Sequence, residues 1–187
     1  PFFMSDCVMK ENLVSTLVIV KSFFYESQFL TKNLLLQSNL GRGFFVHNLN
    51  WIDTGSLFKN NSNVFTSVAT VTTGNCIFNG TQVVGNSVEG LSGIVQLHNT
   101  TLSCFDCKFH KNQGNMGVTL YLTEDSSGYL YNSSFANNVN KKSSPALVVK
   151  RGKNPVVLEL CSFVDNHSEG RGTLEVDNAV LVFKNSY

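Results

Sequence analysis

The chain is short of the residues that build helices and membrane spans. Alanine is sparse and only three prolines occur, while Asn, Ser, Thr, Val and Phe are abundant, a composition that favours strands and polar turns. An apolar run such as residues 17–20 is far too short to cross a bilayer. No charged start followed by an apolar stretch marks a signal peptide. Because the chain opens on Pro1, we expect a mature product or a piece of a longer polypeptide with no membrane span in this segment.

An excess of charge is also missing. The net charge is +1 and 14% of the residues are charged, so charge gives no general pull toward nucleic acid or an anionic membrane. A hydrophobic share of 42% argues against disorder. We therefore predict one domain over residues 1–187, with no nucleic-acid partner.

The five cysteines have no zinc-type spacing, and an odd number cannot all pair within the chain. Cys104 and Cys107 form a C-x-x-C, but a single such pair without suitably placed His ligands does not make a zinc motif. We predict buried, small apolar side chains at these positions. Metal or redox chemistry is the alternative, and no metal or cofactor site is predicted.

What the chain does have is an internal repeat. Counted back from Phe163, aromatic residues recur at intervals of 27, 27, 31, 26 and 28 residues. These anchors are Phe24, Trp51, Phe78, Phe109, Phe135 and Phe163. Positions five and seven before each anchor are mostly apolar. Asparagine stands three before an anchor at Asn48, Asn75 and Asn132, and three after one at Asn112, Asn138 and Asn166.

The repeat predicts an all-β, single-stranded parallel β-helix, or solenoid, of about seven rungs with a repeat of about 27 residues. Two or three short strands in each unit leave no room for crossover helices. In a solenoid each residue lies about 4.8 Å from its counterpart in the next rung, so like residues stack on like. We expect the aromatic anchors to stack in the core and the asparagines to form a hydrogen-bonded ladder at a bend.

Three F-x-x-N segments carry a resemblance to a known class: Phe109–Asn112, Phe135–Asn138 and Phe163–Asn166. With the ladder and the stacked core they resemble the right-handed parallel β-helices of the pectate-lyase-like superfamily. Within it they are most similar to the F-x-x-N repeats of polymorphic outer-membrane proteins and of large protist surface proteins. The resemblance covers nearly the whole chain, although Thr54 and Thr81 stand where the family has Asn. It implies right-handed winding and a location outside the cell or at its surface.

Two functions are open. The first is a non-enzymatic structural or adhesive module of an extracellular fibre, surface coat or large adhesin. Residues 179–187 begin another rung, and an uncapped solenoid exposes strand edges and core. For this function we expect a homo-oligomer or filament joined through the solenoid ends, or a longer parent chain.

The alternative is a carbohydrate-active β-helix enzyme, a polysaccharide lyase or hydrolase, or a glycan-binding domain. It needs acids, a basic residue and exposed aromatics on one outer sheet. Asp106, Lys108 and His110 alternate along one strand, but outward polar residues are usually a solvated face. The polygalacturonase motifs do not occur in the sequence, and no catalytic residue is predicted.

Five asparagines begin N-x-[S/T] sequons. Asn132 and Asn166 fall in predicted ladder slots and should face inward. We predict glycosylation at Asn60, Asn79 and Asn99, which fall in turns, if the protein is secreted by a eukaryote.

One basic cluster flanks a predicted strand and provides a possible site for an acidic glycan or another polyanion. Ordinary solvated turns are the alternative interpretation. The cluster consists of Lys141, Lys142, Lys150, Arg151 and Lys153.

Overall fold

The computed structural model describes residues 1–23, 27–63, 67–90, 93–115, 119–142, 144–169 and 172–187. It is an all-β parallel solenoid of about six turns with a repeat spacing of about 26 residues, which confirms the predicted fold class. None of the described ranges contains a helix, so none offers a helix long and apolar enough to cross a membrane. The right-handed winding stays a prediction from the resemblance.

The solenoid consists of short strands that pair in parallel with the strands one turn away. In chain order they are β1 (Phe2–Ser5), β2 (Val8–Lys10), β3 (Leu13–Lys21), β4 (Gln28–Lys32), β5 (Leu35–Gln37), β6 (Leu40–His47), β7 (Asn50–Thr54), β8 (Leu57–Lys59), β9 (Ser62–Asn63), β10 (Ala69–Asn79), β11 (Gln82–Val84), β12 (Ser87–Val88), β13 (Val95–Phe105), β14 (Lys108–His110), β15 (Gln113–Gly114), β16 (Leu120–Thr123), β17 (Ser127–Tyr131), β18 (Ser134–Ala136), β19 (Val139–Asn140), β20 (Leu147–Lys150), β21 (Val156–Glu159), β22 (Ser162–Val164), β23 (His167–Ser168), β24 (Leu174–Asp177) and β25 (Leu181–Lys184).

Each turn passes through four strand positions, which we name faces 1 to 4. Face 1 contains β1, β4, β7, β17, β21, β25 and the second halves of β10 and β13. Face 2 is a separate seven-stranded sheet of β2, β5, β8, β11, β14, β18 and β22. Face 3 contains β9, β12, β15, β19 and β23. Face 4 contains β3, β6, β16, β20, β24 and the first halves of β10 and β13.

The core lies inside the coil because side chains alternate between inward and outward positions along each strand. On face 2 the inward slot holds Met9, Leu36, Phe58, Val83, Phe109, Phe135 and Phe163. The rings of Phe109 and Phe135 stack at 4.7 Å, and those of Phe135 and Phe163 at 4.9 Å. Each fully buried aromatic side chain contributes roughly 1.5–3 kcal/mol by leaving water.

The predicted register is correct for the last three anchors and wrong earlier in the chain. Phe109 pairs with Val83 on face 2, whereas Phe78 lies on face 1 and pairs with Cys104. Trp51 is also on face 1, and Phe24 lies outside the described residues. Both faces have inward apolar slots, so the 31-residue interval in the aromatic series is a jump from one face to the other.

Three corners of most described turns contain a residue with positive φ, a conformation that Asn, Asp and Gly tolerate best. Between faces 1 and 2 these residues are Asp6, Asn33, Gly55, Gly80, Asp106, Asn132, Leu160 and Asn185. Between faces 2 and 3 they are Glu11, Ser38, Asn60, Gly85, Lys111, Asn137 and Asp165. Between faces 4 and 1 they include Asn48, Thr73, Asn99, Arg151 and Asn178. These residues let the chain change direction within a very short turn.

Candidate functional site

The most regular polar feature is a ladder of seven asparagines at the corner between faces 2 and 3. From Asn39 onward, each Oδ1 accepts hydrogen bonds from the backbone N–H and the Nδ2 of the asparagine one turn earlier. For Asn86 and Asn61 these distances are 2.9 and 3.0 Å. Asn86 Nδ2 also donates to the Phe58 carbonyl at 2.8 Å. The ladder members are Asn12, Asn39, Asn61, Asn86, Asn112, Asn138 and Asn166.

Sequence reasoning assigned only the last three of these asparagines to the correct ladder. Three of the other four were missed because the anchor was required to be aromatic, whereas face 2 uses Val83, Leu36 and Met9 in the same slot. Asn61 does follow Phe58 in an F-x-x-N segment, but the aromatic series passed from Trp51 to Phe78 and left Phe58 out. An apolar-x-x-Asn pattern, in place of F-x-x-N, would have found all seven. The apparent Thr replacements at Thr54 and Thr81 disappear once the register is corrected.

Asn48, Asn75 and Asn132 do not belong to this ladder, contrary to the prediction. Asn132 is exposed at the corner between faces 1 and 2, and its Nδ2 donates to Asp106 Oδ1 at 2.6 Å. Asn75 is exposed on face 1 and donates to Asn50 Oδ1. Asn48 lies at the corner between faces 4 and 1 and donates to the carbonyl of Ser22. These asparagines occur where the local turn geometry requires polar residues, about one turn apart. In the sequence their spacing therefore resembles that of a ladder.

Small side chains line the corner between faces 1 and 2, where Ser133 Oγ accepts the backbone N–H of Cys107 at 3.2 Å. Cys104 and Cys107 are buried as predicted, but their sulfurs are joined in a disulfide with the Cα atoms 6.2 Å apart. Cys76 and Cys161 are buried free thiols. Burial raises the pKa of both, with the charge of Asp53 a second cause at Cys76. Neither thiol is therefore activated as a nucleophile.

Asp53 is a fully buried carboxyl group in an inward slot of face 1 that Phe78 fills in the next turn. Hydroxyl groups of Thr31, Ser56 and Thr81 donate to it, each at 2.5 Å. Burial raises its pKa, and these hydrogen bonds oppose the rise. Every polar contact it makes is internal, so we interpret Asp53 as a structural residue.

The predicted polyanion cluster is weakened by ion pairs. Lys150 Nζ lies 2.7 Å from Glu175 Oε1, and Lys153 Nζ lies 2.8 Å from Asp125 Oδ2. Lys141 and Lys142 are exposed at the end of face 3, and Arg151 is exposed at the corner after face 4. Lys141 lines a groove of about 440 Å³ together with Glu89, Gln113 and Asn115, so this groove carries both signs of charge.

The structure brings together a different basic group, which sequence reasoning missed, on the outer surface of face 4. Lys21 Nζ lies 5.3 Å and Arg42 Cζ 5.1 Å from the ring centroid of Phe45. The His47 ring is nearly parallel to that of Phe45, with centroids 6.4 Å apart. Residues 21 and 47 pair across β3 and β6, so only the register of the two strands could have revealed this cluster.

An aromatic cluster lies on the outer surface of face 1. The ring centroid of Tyr129 is 6.1 Å from that of Phe105 and 6.3 Å from that of Tyr131. The Tyr129 hydroxyl lies 3.1 Å from Glu159 Oε2, and Lys184 Nζ lies 3.9 Å from the same oxygen. Aromatic rings, an acid and a base therefore converge on one outer sheet.

Asp106 and Lys108 line a cleft of about 330 Å³ with Asn132, Ser134 and Ser162. His110 Nε2 lies 2.7 Å from Ser134 Oγ. Burial lowers the pKa of His110, as do Lys108 and Lys111. A neutral imidazole beside a hydroxyl can act as a base, but no described contact joins His110 to a carboxylate that would orient it.

The predicted glycosylation positions Asn60, Asn79 and Asn99 are all exposed. Asn132 is exposed too, which corrects its inward assignment, because it belongs to an outer corner. Asn166 is engaged in the ladder through both Oδ1 and Nδ2. Glycosylation itself stays a prediction at Asn60, Asn79 and Asn99.

No protein-family model and no curated protein matches this chain. The similarity to the pectate-lyase-like superfamily and to F-x-x-N repeats therefore stays a prediction, while the parallel β-solenoid is observed. Among the described residues, no group of three or more His, Cys, Asp or Glu side chains has an arrangement that could hold a metal ion.

Proposed function

We propose that the chain is a structural or adhesive β-solenoid module that joins further solenoid turns through its end surfaces. The observation that carries the proposal is that inward core slots continue uncovered to both ends. Phe2 pairs with the buried Phe29 yet is 55% exposed, and Phe183 pairs with the buried Leu158 yet is 50% exposed. Other large apolar side chains exposed in the end turns are Phe3, Val8, Leu13, Val176 and Val180.

Strand edges add to this argument. Among the described strands, β1 and β25 each have one neighbour on face 1, so their outer backbone groups can pair with another strand. A second copy of the chain, or further turns of the same fold, would cover the apolar slots and pair the backbone groups at once. A fibre, surface coat or large adhesin outside the cell is the setting that we propose. The Cys104–Cys107 disulfide supports it, since disulfides persist mainly in oxidising compartments.

The test measures molar mass by light scattering over a range of concentrations, with electron microscopy of the same samples. We expect axial oligomers of the wild-type chain, and their loss in Phe2→Lys and Phe183→Lys. Val139→Lys is the control, because Val139 is 40% exposed but lies within the length of the solenoid. A wild-type chain that stays monomeric at high concentration would contradict the proposal.

A second candidate function is glycan binding on face 1, favoured by the cluster of Phe105, Tyr129 and Tyr131 beside Glu159. Aromatic faces with polar groups at their edge suit sugar rings. We expect Tyr129→Ala to weaken binding in a panel of acidic polysaccharides measured with and without calcium. Tyr187→Ala, at an 81% exposed tyrosine elsewhere, should not. Absence of both binding and cleavage in the wild-type chain would rule this function out.

A further inference from the structure

We propose that Lys21, Arg42 and His47 form a binding site for the carboxylate or sulfate groups of an acidic polysaccharide, organised around the ring of Phe45. The site lies on the outer surface of face 4, away from the aromatic cluster on face 1, and it does not depend on assembly through the ends. Lys21 and His47 are exposed, while Arg42 and Phe45 are half-buried.

The first argument is that the cations of this site are not neutralised. Within the described residues neither Lys21 nor Arg42 takes part in an ion pair, whereas Lys150, Lys153 and Lys184 each have a carboxylate partner. Charge complementarity therefore favours an external anion at this position over the ion-paired Lys150 and Lys153 of the basic cluster predicted from the sequence.

The second argument is an orphaned donor. Arg42 Nε is buried and has no hydrogen-bond partner. An unpaired buried N–H costs free energy, and this cost is relieved if the guanidinium turns outward on binding and donates two N–H groups to the oxygens of a carboxylate, sulfate or similar group.

The third argument is preorganisation. Cation–π contacts with Phe45 hold both cationic groups near one ring before any ligand arrives. Holding flexible side chains in place reduces the entropy lost on binding.

A polysaccharide suits the surroundings of these charges. Ile19 pairs with Phe45 across the strands and is 61% exposed, so an apolar surface lies next to the cations. The Thr72 hydroxyl lies 2.7 Å from His47 Nδ1 and adds a polar group beside His47 in the next turn. A sugar ring with an acidic substituent presents an apolar face, hydroxyl groups and an anion together.

The experiment compares two double variants that change the net charge equally. Lys21→Gln with Arg42→Gln removes the proposed site, and Lys150→Gln with Lys153→Gln removes the ion-paired lysines. Heparin provides sulfate groups, polygalacturonate provides carboxylates, and dextran is the uncharged control. Affinity is measured by calorimetry at low salt, and circular dichroism checks that each variant is folded.

We expect at least one acidic polysaccharide to bind, with an affinity loss of about tenfold or more in the first pair and less than about twofold in the second. The single variant Lys21→Gln, at an exposed position, should lose about threefold or more even if the double variant fails to fold. Comparison of heparin with polygalacturonate identifies the preferred anion.

Three results would overturn the site: no binding of either acidic polysaccharide, equal losses in the two pairs, or equally tight binding of a DNA duplex. None of them bears on the molar mass of the wild-type chain, so failure of this site and failure of the stacking proposal are distinguishable.

Discussion

In the C-terminal turns Phe109, Phe135 and Phe163 stack with interplanar angles of 10° and 7°. In the N-terminal turns Trp51 contacts Phe29, Phe44, Phe58 and Phe78 at angles that range from 30° to 83°. The two regions share one fold and one asparagine ladder but fill the core differently. Identical residues in one slot give a parallel stack, whereas mixed residues give an irregular cluster that also surrounds a buried carboxyl group.

Turn length explains part of the difference. The paired residues Leu102 and Gly128 are 26 apart in sequence, whereas Phe29 and Trp51 are 22 apart. A shorter turn has fewer residues in one of its corners. Side chains of neighbouring turns near that corner therefore do not occupy equivalent positions in the core. The comparison indicates that backbone pairing and the ladder define the solenoid, while the core adapts to the residues available.

The largest effect is expected for Trp51→Ala, which empties the centre of the irregular cluster. Loss of a buried ring typically costs about 3–5 kcal/mol, and the hydrogen bond from Trp51 Nε1 to Thr31 is lost as well. Urea denaturation measures the loss, and hydrogen exchange should localise it to the N-terminal turns because solenoid turns contact mainly their neighbours. Equal loss of protection in the C-terminal turns would mean that the two regions unfold as one unit.

Asn86→Ala breaks the ladder where the two regions meet. It leaves the Asn61 amide groups and the Phe58 carbonyl without their partner, so we expect a loss of about 3 kcal/mol in unfolding free energy. The control is Asn75→Ala, at an exposed asparagine outside the ladder, which should change stability by about 0.5 kcal/mol or less. If both variants lost a similar amount of unfolding free energy, the ladder would not contribute more to stability than an exposed asparagine.

Asp53→Asn tests whether the buried carboxyl group destabilises the N-terminal region when it is ionised. Because the folded-state pKa is raised, the protonated form is favoured on folding, so the contribution of Asp53 is most favourable below its unfolded value near 3.8. That contribution is lost as pH rises from there through the raised folded value. We expect the stability of Asp53→Asn relative to wild type to increase over this pH range and then stay level. Urea denaturation of both proteins at several pH values measures the difference, and an unchanged difference would show that the folded-state pKa is not raised.

The smallest effect is expected for Leu160→Asn at a corner of the C-terminal region. Leu160 has φ of 55° and is 44% exposed, whereas Asn132 holds the equivalent corner one turn earlier. Asparagine tolerates this conformation better, so we expect a gain of about 0.5–1 kcal/mol, measured as a rise in the urea midpoint. A loss of stability would indicate that the Leu160 side chain makes a contact worth more than the strain.

The fold was predictable from the sequence because a solenoid repeats one turn, and Phe109, Phe135 and Phe163 repeat it without interruption. The register of the earlier turns was not predictable. Trp51 and Phe78 are inward residues of face 1, and counting intervals along the sequence does not distinguish them from the inward aromatic residues of face 2. The cluster around Phe45 was out of reach for a related reason. Lys21 and Arg42 are far apart in sequence, and a bulge between β3 and β6 shifts the pairing that brings them together.

The asparagine ladder has a direction as well as a periodicity. From Asn39 onward each Oδ1 accepts from the turn before, and up to Asn138 each Nδ2 donates to the turn after, so the amide dipoles add along the axis. Asn12 accordingly offers an acceptor at one end, and Asn166 offers donors at the other. A two-fold symmetric contact would bring donor to donor or acceptor to acceptor, whereas head-to-tail contact continues the series. Any assembly that extends this ladder is therefore polar, with two distinguishable ends that can grow at different rates.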